Sequence, residues 1–361
     1  MPWRNGQPDA MIPPGETIGI LGGGQLGRML ALAAAQLGYR CHVYAPEHDS
    51  IAADVCAQFT RAAWDDAGAL ARFAADCAVV TYEFENVPVG PLAHLAPVPL
   101  LPAAKALEVG QDRLTEKHFI TNLGGTTAPF AVVDTLEDLV AAVETIGAPG
   151  ILKTRREGYD GKGQWRIMTA HEVDGFVLTG QPLVYEGFVN FSAEFSVILC
   201  RSSDGNVVFW DSAENVHKGG ILATSTVPAS AAVLAQVASA RELAARIATA
   251  LGYVGVLACE FFATDKGPVF NEMAPRVHNS GHWTIEGALT SQFENHIRAI
   301  CGLPLGDPAL AATGVEMKNL IGDDVHDWAQ ILSDPANHLH LYGKAAARPG
   351  RKMGHVTRLV L

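Results

Sequence analysis

The apolar and polar positions alternate between strand-like and helix-like stretches from the start of the chain. Thr17 to Leu21 is a short β-branched run, three glycines follow it, and a helical pattern then runs from Leu26 to Leu37. Gly38 stands where a helix ends in a left-handed residue, and Cys41 to Tyr44 reads as the next strand. Ala78 to Tyr82 is a further apolar run. This strand–helix–strand order predicts a parallel, helix-covered sheet over about the first 110 residues, closed by the Pro-rich stretch Pro88 to Pro102. A helix is expected over Gln111 to Leu123. Short strands are expected around Ala131 to Val133, Ile151 to Thr154 and Leu183 to Glu186. From Phe195 the pattern turns antiparallel, with strands over Phe195 to Cys200, Val207 to Asp211, Val256 to Ala263 and Pro268 to Met273. An Ala-rich helix, Ala229 to Leu251, separates the middle two. The fold class is therefore α/β, passing to α+β in the C-terminal part.

Composition narrows the function. With 361 residues the chain is long for one core, so two or three domains are expected. Hydrophobic residues make up 48% and charged residues 18%, which suits a soluble enzyme, and no apolar run approaches the ~20 residues that span a bilayer. Met1 to Glu16 is rich in Pro and Gly, lacks the apolar core of a signal peptide, and reads as a loose leader. Six scattered cysteines without a CxxC pair favour reduced thiols and a cytoplasmic location. The net charge of −12 argues against nucleic-acid binding, so an anionic substrate needs a local basic cluster.

Two glycine loops and one acidic pair carry the chemistry. Gly22-Gly23-Gly24-Gln25-Leu26-Gly27 follows a strand and opens a helix, which offers free N–H groups to an anion. A dinucleotide site would also want an acidic residue at the end of the second strand. Here that strand runs into Ala45-Pro46, which favours either a tight structural turn or a loop holding part of a phosphorylated substrate. The second loop, Gly158 to Gln164, places Gly158, Gly161 and Gly163 after Lys153, so the backbone can approach a polyphosphate. Its spacing is not that of a P-loop kinase. Glu260 and Glu272 flank a turn at Thr264 to Pro268, and Lys266 lies midway between them. A bulge-free hairpin centred there sets the two carboxylates directly opposite each other. Opposed like charges call for a cation, and Mg²⁺ suits two carboxylates plus phosphate oxygens. Just beyond, Arg276, His278 and Asn279 concentrate donors, with the Arg276 fork suited to a planar anion such as bicarbonate.

Taken together these residues resemble the N5-carboxyaminoimidazole ribonucleotide synthetases of the ATP-grasp superfamily. The matching segments are Gly24 to Arg28, Thr81 to Asn86, Gln111 to Arg113, Gly158 to Gln164, Asn271 to Arg276, His278 to Thr284, Tyr342 to Lys344 and Arg348 to His355. One departure is Glu157, where glycine or a neutral residue is expected.

The resemblance implies an ATP-grasp fold behind a Rossmann-like domain. The expected divisions are a leader over 1–16, the Rossmann-like domain over 17–112, a small lid domain over 113–190 and a large domain over 191–361. It also implies the reaction: ATP and bicarbonate give carboxyphosphate, which carboxylates the exocyclic amine of 5-aminoimidazole ribonucleotide. Carried over, Glu260 and Glu272 bind Mg²⁺. Arg113, Lys153, Gly158, Gly161, Gly163 and Gln164 meet the ATP phosphates, while Glu186, Val189 and Glu194 hold adenosine. Asp160, Arg276, His278 and Asn279 act on the reacting groups. Gly24, Gln25, Leu26, Glu83, Tyr159, Asp160, Lys344, Arg351 and Lys352 hold the aminoimidazole nucleotide. A homodimer and coupling to the mutase that follows in the pathway are implied as well. The rivals are a formate-using glycinamide ribonucleotide transformylase, a biotin carboxylase and a non-catalytic ATP-binding regulator.

Overall fold

The computed structural model describes every residue except 1–2, 5–6, 9–10, 159–162, 179 and 361. Three sheets organise the chain beyond the two-stranded pair Trp3–Arg4 and Gln7–Pro8. The first is parallel, in the order Gln58–Arg61, Arg40–Ala45, Thr17–Leu21, Val79–Tyr82. The helix Gln25–Gln36 connects its two inner strands and buries Leu26, Met29, Leu30, Ala33 and Ala34, a stripe of period 3.6. It ends at Leu37, and Gly38 follows with φ +81°.

The second sheet is antiparallel and small: Phe130–Val133, Leu183–Gly187, Gly150–Thr154, Gln164–Ile167. It has its own core, in which Val133, Leu139, Leu152 and Tyr185 are fully or almost fully buried. The third sheet has nine strands. Gly267–Ala274 and Gly255–Thr264 form one end, followed by Ala193–Arg201, Ala213–Lys218, Ile221–Val227, Gly314–Ile321, Lys352–Val360 and Asn337–Leu341, with Val207–Phe209 pairing off Ala193–Arg201.

Several expectations change here. The helix expected over Gln111 to Leu123 is Arg113–Asn122, and a separate helix, Ala104–Gly110, precedes it. Asp112 breaks them because its side chain caps Arg113–Asn122, accepting from the Leu114 and Thr115 N–H groups at 3.1 Å. The Ala-rich helix divides into Ala231–Leu234 and Val237–Ala250. The leader is not loose where it meets the body. Ile12 is 4% exposed, its N–H donates to Cys301 O at 2.9 Å, and its carbonyl accepts from Tyr39 Oη at 2.6 Å.

The parallel sheet does not have a core to itself. Ile18, Ile20 and Val43 share one cluster with Ile198, Val256 and Ile297 beneath the nine-stranded sheet, and helix Gln25–Gln36 packs on helix Gln292–Ile300. Each fully buried aliphatic side chain there contributes about 1.5–3 kcal/mol, so this seam is rigid. Thr81 and His296 cross it, with Oγ1 and Nε2 at 2.8 Å. The seam fixes the mouth of the first sheet against the strand that carries Glu260.

Candidate active site

A cleft of about 1120 Å³ opens where the three sheets meet. Glu260 and Glu272 both line it and face each other as register partners on neighbouring strands. Their opposition arises differently from the bulge-free hairpin expected. Thr264 pairs with Gly267, so the turn has only two central residues, Asp265 and Lys266, and an unbroken ladder would set Asn271 against Glu260. A one-residue bulge at Asn271 shifts the register and brings Glu272 opposite. Burial, and next to it the Glu272 charge, push Glu260 up to about 7. Among the described residues no group of three or more His, Cys, Asp or Glu side chains is arranged to hold a metal. The pair therefore fits an ion that takes two protein carboxylates and completes its shell with phosphate and water, as Mg²⁺ does.

Helix Arg113–Asn122 ties the pair to the small sheet. Arg113 lines the cleft and reaches Glu272 Oε2 with one terminal nitrogen and the Gly158 carbonyl with the other, each at 3.3 Å. One turn on, Lys117 Nζ lies 3.2 Å from Glu186 Oε2, and Lys153 Nζ lies 2.9 Å from the same oxygen. All three groups are buried. Burial alone would raise Glu186, but Lys153 and then Lys117 outweigh it and hold the carboxyl down at about 2. Two buried cations share one anion, and Glu186 Oε1 has no hydrogen-bond partner among the described residues. That arrangement suits a ligand bringing both phosphate charge and a donor group, and ATP has both.

Lys153, Gly163, Gln164, Glu186, Val189 and Glu194 do not themselves line the cleft. The strand meant to carry Val189 ends at Gly187, so Val189 lies in the segment beyond it. Glu194 Oε2 sits 2.7 Å from His217 Nδ1, and the charges of Glu260 and Glu272 act on that imidazole too. Gly163 has φ +68° and Gln164 begins the strand paired with Lys153. Tyr159, Asp160, Gly161 and Lys162 lie outside the described residues. Glu157 has φ +60°, in the left-handed region where a side chain costs about 1–2 kcal/mol, which is why glycine is the expected residue beside Gly158.

Beyond the hairpin, the Arg276 fork is not free. One terminal nitrogen is 2.7 Å from Glu85 Oε2 and the other donates to Val277 O at 3.0 Å, while Nε is buried without a partner among the described residues. His278 Nδ1 accepts from the Ser280 N–H at 3.3 Å, which leaves the proton on Nε2, 3.6 Å from Glu260 Oε1. Burial, then the Arg276 charge, keep this imidazole well below its ordinary range and neutral. Asn279 also lines the cleft, but its amide is exchanged with Asn319 in two hydrogen bonds of 3.0 and 2.6 Å.

At the first glycine loop, Glu83 accepts from Gly24 N–H at 2.8 Å and from Gly27 N–H at 3.3 Å. A Cβ on Gly24 would come within 2.8 Å of that carboxylate. The helix N-terminus is thus already met by an internal anion, which disfavours a pyrophosphate there. Gly24, Gln25, Leu26 and Glu83 all line the cleft. So do Lys344, Arg351 and Lys352, and they are no solvated tail: Lys352 begins the strand Lys352–Val360. Lys344 Nζ donates to Lys352 O at 2.6 Å, and Arg351 donates to Ala346 O at 3.0 Å.

Lys117, His217 and Glu85 were not picked out by the sequence as site residues. Lys117 sits in an ordinary amphipathic helix. His217 lies on a strand whose polar run Ala213–Lys218 gives no strand signal. Glu85 sits in the Thr81 to Asn86 match, and its side chain had no assigned role there.

The chain matches known families along its length. Residues 15–111 match the ribonucleotide synthetase pre-ATP-grasp domain, 118–293 the ATP-grasp domain, and 316–360 the phosphoribosylaminoimidazole carboxylase C-terminal domain. It is 52% identical over 354 residues to an N5-carboxyaminoimidazole ribonucleotide synthase of Brucella melitensis biotype 1, covering 96% of this chain and 97% of that one. The crystal structure of the synthetase from Thermus thermophilus superposes with TM-score 0.88 at 49% identity, covering 95% of this chain and 93% of that one. The Aspergillus clavatus synthase, solved with ADP and 5-aminoimidazole ribonucleotide, gives TM-score 0.89 at 31% identity over 96% and 94% of the two chains. With three domain matches in this order and a relative sharing half its residues over nearly the full length, the chain belongs to the N5-carboxyaminoimidazole ribonucleotide synthase family of ATP-grasp ligases.

Proposed function

We propose that this chain, an ATP-dependent ligase carboxylating 5-aminoimidazole ribonucleotide in purine biosynthesis, takes its carboxyl group from bicarbonate through carboxyphosphate. Bicarbonate oxygen attacks the γ-phosphorus and ADP leaves. The exocyclic amine then attacks the carboxyl carbon, phosphate departs, and the amine loses its proton. Glu260 and Glu272 would hold Mg²⁺, which when bound neutralises phosphate charge. The observation that carries the reading is the opposition of these two carboxylates at the wall of the cleft.

Around them, Lys117, Lys153 and Arg113 supply the positive charge for the polyphosphate, and Glu186 with its unpartnered oxygen faces the adenosine. The adenosine site extends to Val189 and Glu194, with Gly158, Gly161, Gly163 and Gln164 around the phosphates. His278 offers Nε2–H, and Arg276 and Asn279 line the same wall for bicarbonate. Glu83 keeps lone pairs for a ribose hydroxyl. Lys344, Arg351 and Lys352 give the acidic chain a local basic wall for the nucleotide's phosphate. Tyr159 and Asp160 complete the proposal at the imidazole. Carboxyphosphate hydrolyses readily, so the product depends on a site that excludes water.

No helix among the described residues is long and apolar enough to cross a membrane. A cytoplasmic homodimer acting with the following mutase, and divisions at 16, 112 and 190, belong to the same reading.

The test is ADP release measured against bicarbonate and the aminoimidazole nucleotide. Turnover should need both and be indifferent to formate or biotin. Glu272→Gln should lower kcat by at least about a hundredfold with an unchanged circular dichroism spectrum. A variant as active as the parent would remove the metal role.

A further inference from the structure

His278 reaches Glu260 and the cleft from a segment that has just left the sheet. The strand Gly267–Ala274 ends four residues earlier, so no neighbouring strand serves the His278 backbone. One side chain reaches both of its polar groups, and the carbonyl also accepts from the Gly281 N–H at 3.0 Å. Gln292 Oε1 accepts the His278 N–H at 2.9 Å, and Gln292 Nε2 donates to the His278 carbonyl at 2.6 Å. A donor on one side and an acceptor on the other leave the amide a single orientation.

Gln292 is the first residue of helix Gln292–Ile300 and is completely buried. Its own N–H donates at 3.0 Å to Thr284 Oγ1, which donates in turn to Gly281 O at 2.7 Å. A Cβ on Gly281 would lie 2.8 Å from both Cδ and Nε2 of Gln292. The turn after His278 is therefore shaped to the amide, as the amide is to His278. The helix carrying Gln292 is the one that packs against helix Gln25–Gln36 at the seam between the first and third sheets.

We propose that Gln292 is a positioning residue that aims the His278 imidazole into the cleft by clasping both of its backbone groups. It touches no proposed substrate and acts through His278. The inference rests on the reading of His278 as part of the bicarbonate site. A buried amide bonded to both sides of one residue behaves as a one-residue substitute strand. Removing it frees the His278 N–H and leaves the carbonyl to the Gly281 N–H alone, while the ring keeps its Ser280 partner.

The test uses the full chain with Mg²⁺, ATP and the aminoimidazole nucleotide. Gln292→Met keeps the volume and deletes both bonds. We expect KM for bicarbonate to rise about tenfold or more with KM for ATP nearly unchanged. A merely structural role would move both together. The His278 imidazole resonance, assigned by its loss in His278→Gln, should shift in the ¹⁵N-histidine spectrum. Gln292→Asn keeps the amide but is one methylene too short to reach both groups, should show the same split in smaller measure, and serves if the apolar variant does not fold. An unmoved His278 resonance in the folded variant overturns the clasp, whatever the kinetics. A shifted resonance with unchanged bicarbonate kinetics supports the clasp and takes His278 out of the bicarbonate site, so the two readings fail separately.

Discussion

Glu186 holds two lysines in place with a single carboxylate oxygen. Lys117 and Lys153 are both buried within 3.2 Å of it, and among the described residues no other anion forms an ion pair with either. Breaking a buried pair from one side leaves the remaining charge unpaired, at a cost of about 3–5 kcal/mol. Glu186→Gln should therefore destabilise the nucleotide-free protein by about that amount in denaturant unfolding. A loss below about 1 kcal/mol would show that the lysines are effectively solvated. Lys153 and Glu186 could be picked out along the chain because a glycine loop and an apolar strand frame them. Lys117 could not. Its partner is sixty-nine positions away on the small sheet, and only the tertiary placement of helix Arg113–Asn122, packed on Ala104–Gly110 and Gly267–Ala274, brings the two together.

That helix is the element on which the site turns. In five positions it carries Arg113 toward Glu272, Glu116 onto the Met273 N–H at 2.8 Å and Lys117 toward Glu186. Asp112 starts it, and the same carboxylate takes Arg155 at 2.9 Å and Arg156 at 3.3 Å, at the base of the second glycine loop. Asp112→Ala should cost about 1–2 kcal/mol from the lost cap. It should also raise KM for ATP, because Arg113 and the loop base lose their common anchor. Thermal unfolding and initial rates check the two parts, and an unchanged KM would free the loop from this anchor. The hairpin teaches the complementary lesson. Counting to a midpoint at Lys266 found the right pair of glutamates, yet the actual path is a tighter turn compensated by a bulge at Asn271. Hydrophobic alternation reports which face a strand buries. It does not report where a ladder slips.

Across the whole molecule, buried titratable groups give stability a defined pH dependence. Burial, and then the Met273 N–H and Glu272, set Glu116, with the net push up to about 8; Glu260 is pushed up to about 7. Burial moves His278, His282 and His355 well below their ordinary 6.5, and His296 down to about 3. A carboxyl raised on folding contributes stability that is present at low pH and lost as pH rises through its folded value. A histidine lowered on folding destabilises only below about 6.5, where the unfolded chain takes up its proton. Between pH 6.5 and 8 these lowered histidines fall silent; the two carboxyls act there, joined in the same sense by His217, which burial lowers but Glu194 and the Glu260 charge raise overall. The ligand-free protein should lose stability across that window, by up to about 1.4 kcal/mol per pH unit for each group. Unfolding midpoints at pH 6.5 and 8.0 check this. Glu116→Gln should flatten the slope, and a midpoint that climbs with pH would contradict it.

The order of residues alone settled which local structures form and which chemistries are on offer: the parallel first sheet, two glycine loops, an acidic pair, a donor-rich segment and a basic stretch near the end. Those are properties of spacing and residue type within a few turns of chain. Tertiary structure decided which groups meet. It joined the first and third sheets through a shared core, turned a basic stretch into the edge of a strand, filled the Arg276 fork with Glu85, and gave His278 its Gln292 clasp. Each of these depends on contacts between residues far apart in sequence. Their partners are chosen by how apolar surfaces pack and by the need of every buried polar group for a bond, and local pattern carries no record of either.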